Sequence, residues 1–508
     1  MAPAATGPKL YESAASKLEI SRLVSPGAGT LLCFFITLAA CLWQNVVAYD
    51  ARANLVWDAA HYIDSCRDLA SFLLRWLAGD VMGVLRLLPD VRQNLMLDGP
   101  VLPSMGALLF AALGRVPGQS DLVVFVLFQC LLQAVGAALV SWLAGRLTGS
   151  PRWGVCGGLA WGLYPAAVIG AGYFMSETVT TVMLIGLAWV VSNLVLAGGR
   201  PGIKPSFFAG AITCGALAAL VMLTKPVLVL ACVWAGLVAL TLLRDWRHRC
   251  VLVVTAALGF AMVLAPWAAF TKSSGHLYLT PQRLPAHNVV MGFDTETDGV
   301  GASGAALDYL FGDADGPLVT AVALYRAQPA AVTDLLLRKP ERLWSLPWND
   351  LRREFFGVPA AWLVWWHRLL FVAGLMGAIV VLSKRQSSES DGRAADAVGW
   401  VACGVVLCHL LYVFFESIPR YGFTAMPFVV LLATFLLSGV VRGRIGRQRV
   451  ALLLVPFACL PLSGLDLVPY LVAATGSPAV AIWLEAGLKA LILVGAVAAA
   501  GSAIGPLC

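Results

Sequence analysis

Twelve stretches of this chain run apolar for about twenty residues each, and that feature decides what it can fold into. They lie near 28–49, 121–144, 153–172, 178–197, 206–224, 226–243, 250–270, 363–383, 396–415, 422–440, 450–468 and 479–500. An α-helix of about twenty residues matches the ~30 Å hydrocarbon thickness of a bilayer. With 59% of residues hydrophobic and only 12% charged, a water-soluble fold would have too little polar surface to cover itself. The sequence predicts an all-α polytopic membrane protein of about 12 transmembrane helices.

One further apolar run, 101–114, is too short to span and carries Pro103 and Gly106, so it reads as an interfacial or re-entrant helix. Its status fixes the topology. If it stays on one side, Arg146, Arg152, Arg200, Lys204, Arg244, Arg247, Arg249, Lys384, Arg393, Arg442 and Arg447 all fall in cytoplasmic loops. The short outer loops then hold only Lys225 and Arg420, which is the positive-inside pattern. Lys9, Lys17 and Arg22 precede the first apolar run, which is too long for a signal-peptide core, so it reads as an uncleaved first span.

Two long segments then fall outside: 50–120 and 271–362. Three regions follow: a membrane module over 1–270 with its first outer loop at 50–120, an outer loop over 271–362, and a C-terminal set of spans over 363–508. Residues 56–77 mix apolar residues with Asp58, Asp64, Arg67 and Asp68 and read as a helix in the interface plane. Both outer loops are expected to carry such interfacial helices.

Composition excludes several function classes. The net charge of +7 is scattered over many loops and forms no stripe for nucleic acid. The 12 cysteines include no CxxC pair and no zinc-like spacing, and most sit within apolar runs as small hydrophobes. DTETDG (Asp294, Glu296, Asp298, Gly299) copies half of a calcium loop, but Ala305 stands where a bidentate Glu should close it. A divalent cation is left open as a cofactor. Glu485 and Lys489, at i and i+4, read as a neutralising pair within the last span.

The remaining ionisable residues gather at the predicted outer face. Asp58 stands before His61 and Tyr62 and is either a helix cap or a general base for an acceptor hydroxyl. His61, at i+3, shares its helical face. Asp98 precedes Gly99 and Pro100 in a turn that can face the same cavity. Glu177 opens a span, and Lys225 sits in a very tight connection between two spans, where it either snorkels or holds a phosphate. Glu416, Arg420 and Tyr421 lie at the mouth between two later spans, and a guanidinium there pairs with Glu416 or clamps a lipid phosphate.

Taken in order, these pieces resemble the GT-C superfamily of membrane glycosyltransferases, in particular the branch of protein O-mannosyltransferases and lipid A aminoarabinose transferases. The resemblance runs from about 28 to 440. It rests on Asp58 with His61 and Tyr62, on Gly99, Pro100 and Pro103 before a short apolar helix, and on the Ser176–Glu177 opening of a span. Lys225–Pro226, Pro266–Trp267, and Arg420–Tyr421 before Pro427 complete it. Ala59 replaces the second acidic residue usual after Asp58, and the basic residue often found after Pro-Trp is displaced to Lys272.

The resemblance implies an inverting transferase that moves a sugar from a polyprenyl-phosphate carrier to a lipid, glycan or protein acceptor at the outer face of the cell membrane. Asp58 would be the base. Lys225 and Arg420, with Arg92 behind them, would hold the carrier phosphate. A twelve-helix transporter is the main alternative, although no internal repeat of the kind many transporters show is visible. A non-catalytic membrane scaffold is a third class.

Overall fold

The structure, a computed structural model, describes residues 26–47, 59–118, 121–272, 279–281, 283–301, 316–348, 355–384 and 386–443, with a few isolated positions beyond these. The predicted spans at 450–468 and 479–500, the Glu485–Lys489 pair and Asp58 lie outside the described residues. Every extended element among the described residues is helical, and the protein is an all-α polytopic membrane protein.

Among the described residues, eight helices are long and apolar enough to cross a membrane. They are α1 (Pro26–Leu42, continued by a π turn), α5 (Leu122–Thr148), α8 (Ser176–Ala197), α9 (Pro205–Thr224), α11 (Trp246–Lys272), α15 (Ala360–Ser383), α16 (Ser390–Phe414) and α17 (Pro419–Val441). α8 and α17 are apolar on every face and form the centre of the bundle, with most of their residues buried. α11 and α1 lie at the periphery and leave their apolar faces open.

Two predicted spans differ from the others. The run at 153–172 is not one helix but two, α6 (Pro151–Gly162) and α7 (Pro165–Gly170). The cause is local: Pro165 has no N–H, and it holds Tyr164 in an extended conformation (φ −63°, ψ 122°) that a helix cannot continue through. The run at 226–243 forms α10 (Pro226–Leu242), which opens with a 3-10 turn and is about 25 Å long.

Close backbone approach holds neighbouring helices together. α9 and α11 pack through reciprocal glycines: a Cβ on Gly215 would strike the backbone of Ala256, and a Cβ on Gly259 would strike the backbone of Ile212. Gly377 and Gly374 bring α15 against Leu432 and Val429 of α17 in the same way.

The first long loop forms three packed helices, α2 (Ala59–Leu77), α3 (Val81–Asp98) and α4 (Val101–Ala112). α2 buries Ala59, Tyr62, Ile63, Cys66 and Ala70, one stripe at helical spacing, against α3 and α4. α4 has 12 residues and is too short to span, as the charge pattern requires. The second long loop contributes α12 (Arg283–Gly292), α13 (Pro317–Ala327) and α14 (Pro329–Ser345).

The carboxylates of DTETDG serve the loop itself. Asp294 is buried, and its carboxylate accepts from the Glu296 N–H (2.9 Å) and the Ser303 hydroxyl (2.8 Å), so it staples the loop to itself. Asp298 turns away, in a left-handed conformation (φ 56°), and pairs with Arg342 and Arg338. The two carboxylates therefore do not converge. Among the described residues no group of three His, Cys, Asp or Glu side chains gathers as a metal site.

Candidate functional site

Four helix ends meet at one end of the bundle. α8 begins at Ser176 after Met175, whose extended backbone is held by the Gln129 side-chain amide donating to its carbonyl (2.9 Å). α9 ends at Lys225, because Pro226 follows and the chain turns at once into α10. α16 ends in a 3-10 stretch, His409–Phe414. α17 starts at Pro419, after Ile418 takes the extended conformation that a following proline demands.

Glu177 is the centre of the site. It lies in the first turn of α8, where the helix dipole favours an anion, and is 2% exposed. Its Oε1 accepts from Lys225 Nζ at 3.0 Å and lies 3.8 Å from Arg420 Nε. Its Oε2 has no hydrogen-bond partner among the described residues. Two cations thus converge on one carboxylate. Arg420 needs that anion, since it sits at the positive end of α17.

Tyr421 forms a wall of the cluster. Its ring lies 5.0 Å from Lys225 Nζ and 5.4 Å from the Arg420 guanidinium, within cation–π range. It stacks on Tyr412 with centroids 5.0 Å apart and an 18° interplanar angle. Its hydroxyl donates to Glu416 Oε2 at 2.7 Å. Beneath this pair, buried His409 sits 2.6 Å from the Thr424 hydroxyl.

The first loop reaches the same place. Tyr62 is buried, and its hydroxyl donates to the Ser176 hydroxyl at 3.3 Å, one residue from Glu177. Gly99 (φ +78°) packs against α9 so closely that a Cβ would meet the Leu223 carbonyl oxygen at 2.7 Å, two residues before Lys225. The structure thus brings together Tyr62, Glu177, Lys225, Glu416, Arg420 and Tyr421. His61 is exposed on α2 and does not join them. The side chains of Asp58 and Asp98 lie outside the described residues. Arg92, on α3, has its guanidinium 5.6 Å from the Phe270 ring on α11.

Beside the cluster opens an apolar groove of about 570 Å³. Val179, Met183, Leu223, Met105, Trp267 and Phe270 are among its walls, contributed by α8, α9, α4 and α11. Val179 and Leu223 each stand two residues along the chain from a charged member of the cluster, so the same two helices, α8 and α9, supply both the groove wall and the charged ends.

Two residues at this site escape the sequence reading. Tyr412 supports Tyr421 from below, within an unbroken apolar run. Lys339 is buried on α14, and its Nζ donates to the carbonyls of Gly292, Val413 (3.1 Å) and Phe415 (2.8 Å). A signal for Lys339 does exist: it falls on the same helical stripe as Val332, Leu335 and Leu343. Burial pushes its ammonium down to about 7.

No protein-family model matches the chain. No curated protein matches it either. Among solved structures it is similar to the archaeal oligosaccharyltransferase AglB from Archaeoglobus fulgidus in complex with an inhibitory peptide and a dolichol-phosphate, at 11% identity and a TM-score of 0.46. That match covers 91% of this chain and 56% of the other. It is also similar to the Archaeoglobus fulgidus oligosaccharyltransferase in the apo form, at 13% identity and a TM-score of 0.47, covering 93% of this chain and 56% of that one. The chain spans a little over half the length of these proteins.

Proposed function

We propose that the protein is an inverting glycosyltransferase that takes a sugar from a polyprenyl-phosphate carrier at the outer face of the membrane. The observation that carries this reading is the convergence of Lys225 and Arg420 on Glu177 at the ends of helices, two of which, α8 and α9, also wall an apolar groove. A ligand suited to both has an anionic head and a long hydrocarbon tail. A phosphate matches the planar donors of Arg420 and the point charge of Lys225. The N-terminal ends of α8 and α17 add to the favourable potential for an anion. The groove suits the isoprenoid units next to the phosphate.

In the reaction, an acceptor hydroxyl oxygen attacks the anomeric carbon while the carbon–oxygen bond to the phosphate breaks. The electron pair leaves with the polyprenyl phosphate, and the hydroxyl proton passes to a base. Lys225 and Arg420 stabilise the charge that grows on the leaving phosphate. Glu177 aims the two cations and keeps them from repelling each other. Asp58 is our candidate base. Its support is Tyr62, which follows it by four residues in the sequence and contacts Ser176 beside Glu177. Acceptor identity, whether lipid, glycan or protein, is set by the outer loops.

The test uses purified full-length protein in lipid nanodiscs with a polyprenyl-monophosphate sugar. Transfer, or slow release of the sugar to water, is expected for the wild type. Asp58→Asn should bind the donor normally but turn over at least about 100-fold more slowly. Undiminished turnover in Asp58→Asn would remove it from the base role. Donor flux into proteoliposomes without any product would overturn the transferase reading.

A further inference from the structure

Lys339 is a fully buried lysine whose ammonium has no carboxylate within ion-pair distance among the described residues. Its three N–H bonds go to backbone carbonyls of two different segments: Gly292, at the end of α12, and Val413 and Phe415, at the end of α16. The local chain is shaped around this contact. A Cβ on Gly292 would come within 2.5 Å of the Phe415 carbonyl carbon, so only glycine lets the two backbones touch. Gly299 is left-handed (φ +71°), and a Cβ there would lie 2.8 Å from Lys339 Cε.

The contact continues in both directions. The Glu416 N–H donates to the Asn288 carbonyl on α12 at 2.7 Å, and the Ser417 hydroxyl donates to the Lys339 carbonyl at 3.5 Å. Residues 413–417 are thus held to the second outer loop at four points, Val413, Phe415, Glu416 and Ser417. That stretch includes Glu416, whose carboxylate holds the Tyr421 hydroxyl, and the Tyr421 ring faces Lys225.

We propose that Lys339 is a positioning residue for the transfer reaction: by tying the second outer loop to residues 413–417, it fixes the Glu416–Tyr421 wall against which Lys225 is held. This inference rests on the proposed glycosyl transfer. A wall out of place by about 1 Å would slow the chemical step by as much as ~100-fold while leaving the groove, and hence donor binding, intact. The charged groups that bear on Lys339 are Arg342, Asp298 and Glu416. When Lys339 loses its proton, two N–H bonds remain for three carbonyls, so one of the ties is lost.

The experiment compares wild type, Lys339→Met and Gly292→Ala, each full length in nanodiscs. Amide hydrogen exchange is followed over peptides covering 410–425, and kcat and KM are measured from pH 6 to 9. Both variants should exchange about tenfold faster in 410–425 and no faster in α9. Both should lose about 10- to 100-fold in kcat with donor KM within about twofold of wild type. The wild-type kcat should fall above pH 7, and that limb should be absent in Lys339→Met. Unchanged exchange in 410–425, or a wild-type kcat in Lys339→Met, would overturn the proposal. If Lys339→Met does not fold, Gly292→Ala alone decides by the same exchange and kcat criteria. A wild-type protein inert toward every donor offered would count against the transfer reading, and with it the catalytic half of this proposal, while the exchange arm still decides the tie itself.

Discussion

Glu177 and Lys225 are joined by an ion pair at 3.0 Å, with only 3% and 14% of their side chains exposed. A charge removed from water this far must keep its partner. Lys225→Met leaves a buried carboxylate facing only Arg420, and it should destabilise the fold by about 3 kcal/mol. The double variant Glu177→Gln/Lys225→Met removes both charges and should recover most of that loss, but no activity. Denaturant unfolding in detergent micelles, with the four proteins compared as a cycle, checks this.

Arg420 separates charge from shape. Its guanidinium stands near Glu177 and lies against the Tyr421 ring. Arg420→Lys keeps the charge and discards the planar fork. Donor KM should rise about tenfold or more, with a smaller change in unfolding midpoint than Lys225→Met produces. Initial rates at varied donor concentration supply the comparison, and an unchanged KM would place the carrier phosphate elsewhere.

The groove makes a different demand, one that depends on tail length. Met183 and Leu223 line it. Met183→Trp fills part of the ~570 Å³ and should raise KM for a long-chain carrier about tenfold. A donor truncated to one or two isoprene units should be much less affected. Equal effects on both donors would mean that the tail lies outside this groove.

Much of the site was legible because charge is conspicuous in an apolar chain. Glu177, Lys225, Arg420 and Tyr421 each stand where a span begins or ends, and lipid gives such residues few roles other than pairing or binding. The amphipathic stripe of α2 was equally plain. Lys339 was not, because its partners are carbonyls, which no sequence pattern marks, and because it sits in the charged run Arg338–Glu341–Arg342 that reads as a solvated face. The break at Tyr164–Pro165 was masked for the opposite reason: the apolar run continues through it, and hydropathy does not register a missing N–H. In DTETDG the missing closing Glu is visible in the sequence, but the separate partners of Asp294 and Asp298 are not, because spacing says nothing about direction.

Lys339 should also contribute to the pH dependence of stability. Its folded pKa of about 7 lies below the ordinary lysine value of 10.5. Between those values the unfolded chain binds more protons than the folded one, so stability should rise as pH increases from 7 toward 10. The rise should be smaller in Lys339→Met, and the difference between the two unfolding curves isolates this group. Stability and activity are thereby expected to move in opposite directions above pH 7, since the same deprotonation removes a tie from residues 413–417.

The α9–α11 contact connects packing to the site. Gly215→Ala gains about 1 kcal/mol of intrinsic helix propensity. Against that, the new methyl meets the Ala256 backbone, which no side-chain rotation can relieve. The clash should win, because Gly259 makes the reciprocal contact with Ile212 and the two helices cannot separate at one point alone. Overpacking of this kind costs about 1–3 kcal/mol, so the net loss should be about 1 kcal/mol for Ala and larger for Gly215→Leu. α9 carries Lys225 at its end, and α11 carries Trp267 and Phe270 in the groove wall. Forcing the helices apart should therefore widen the groove and weaken donor binding as well as lower the unfolding midpoint. A Gly215→Leu protein with wild-type stability and wild-type donor affinity would show that the close approach of the two backbones is dispensable.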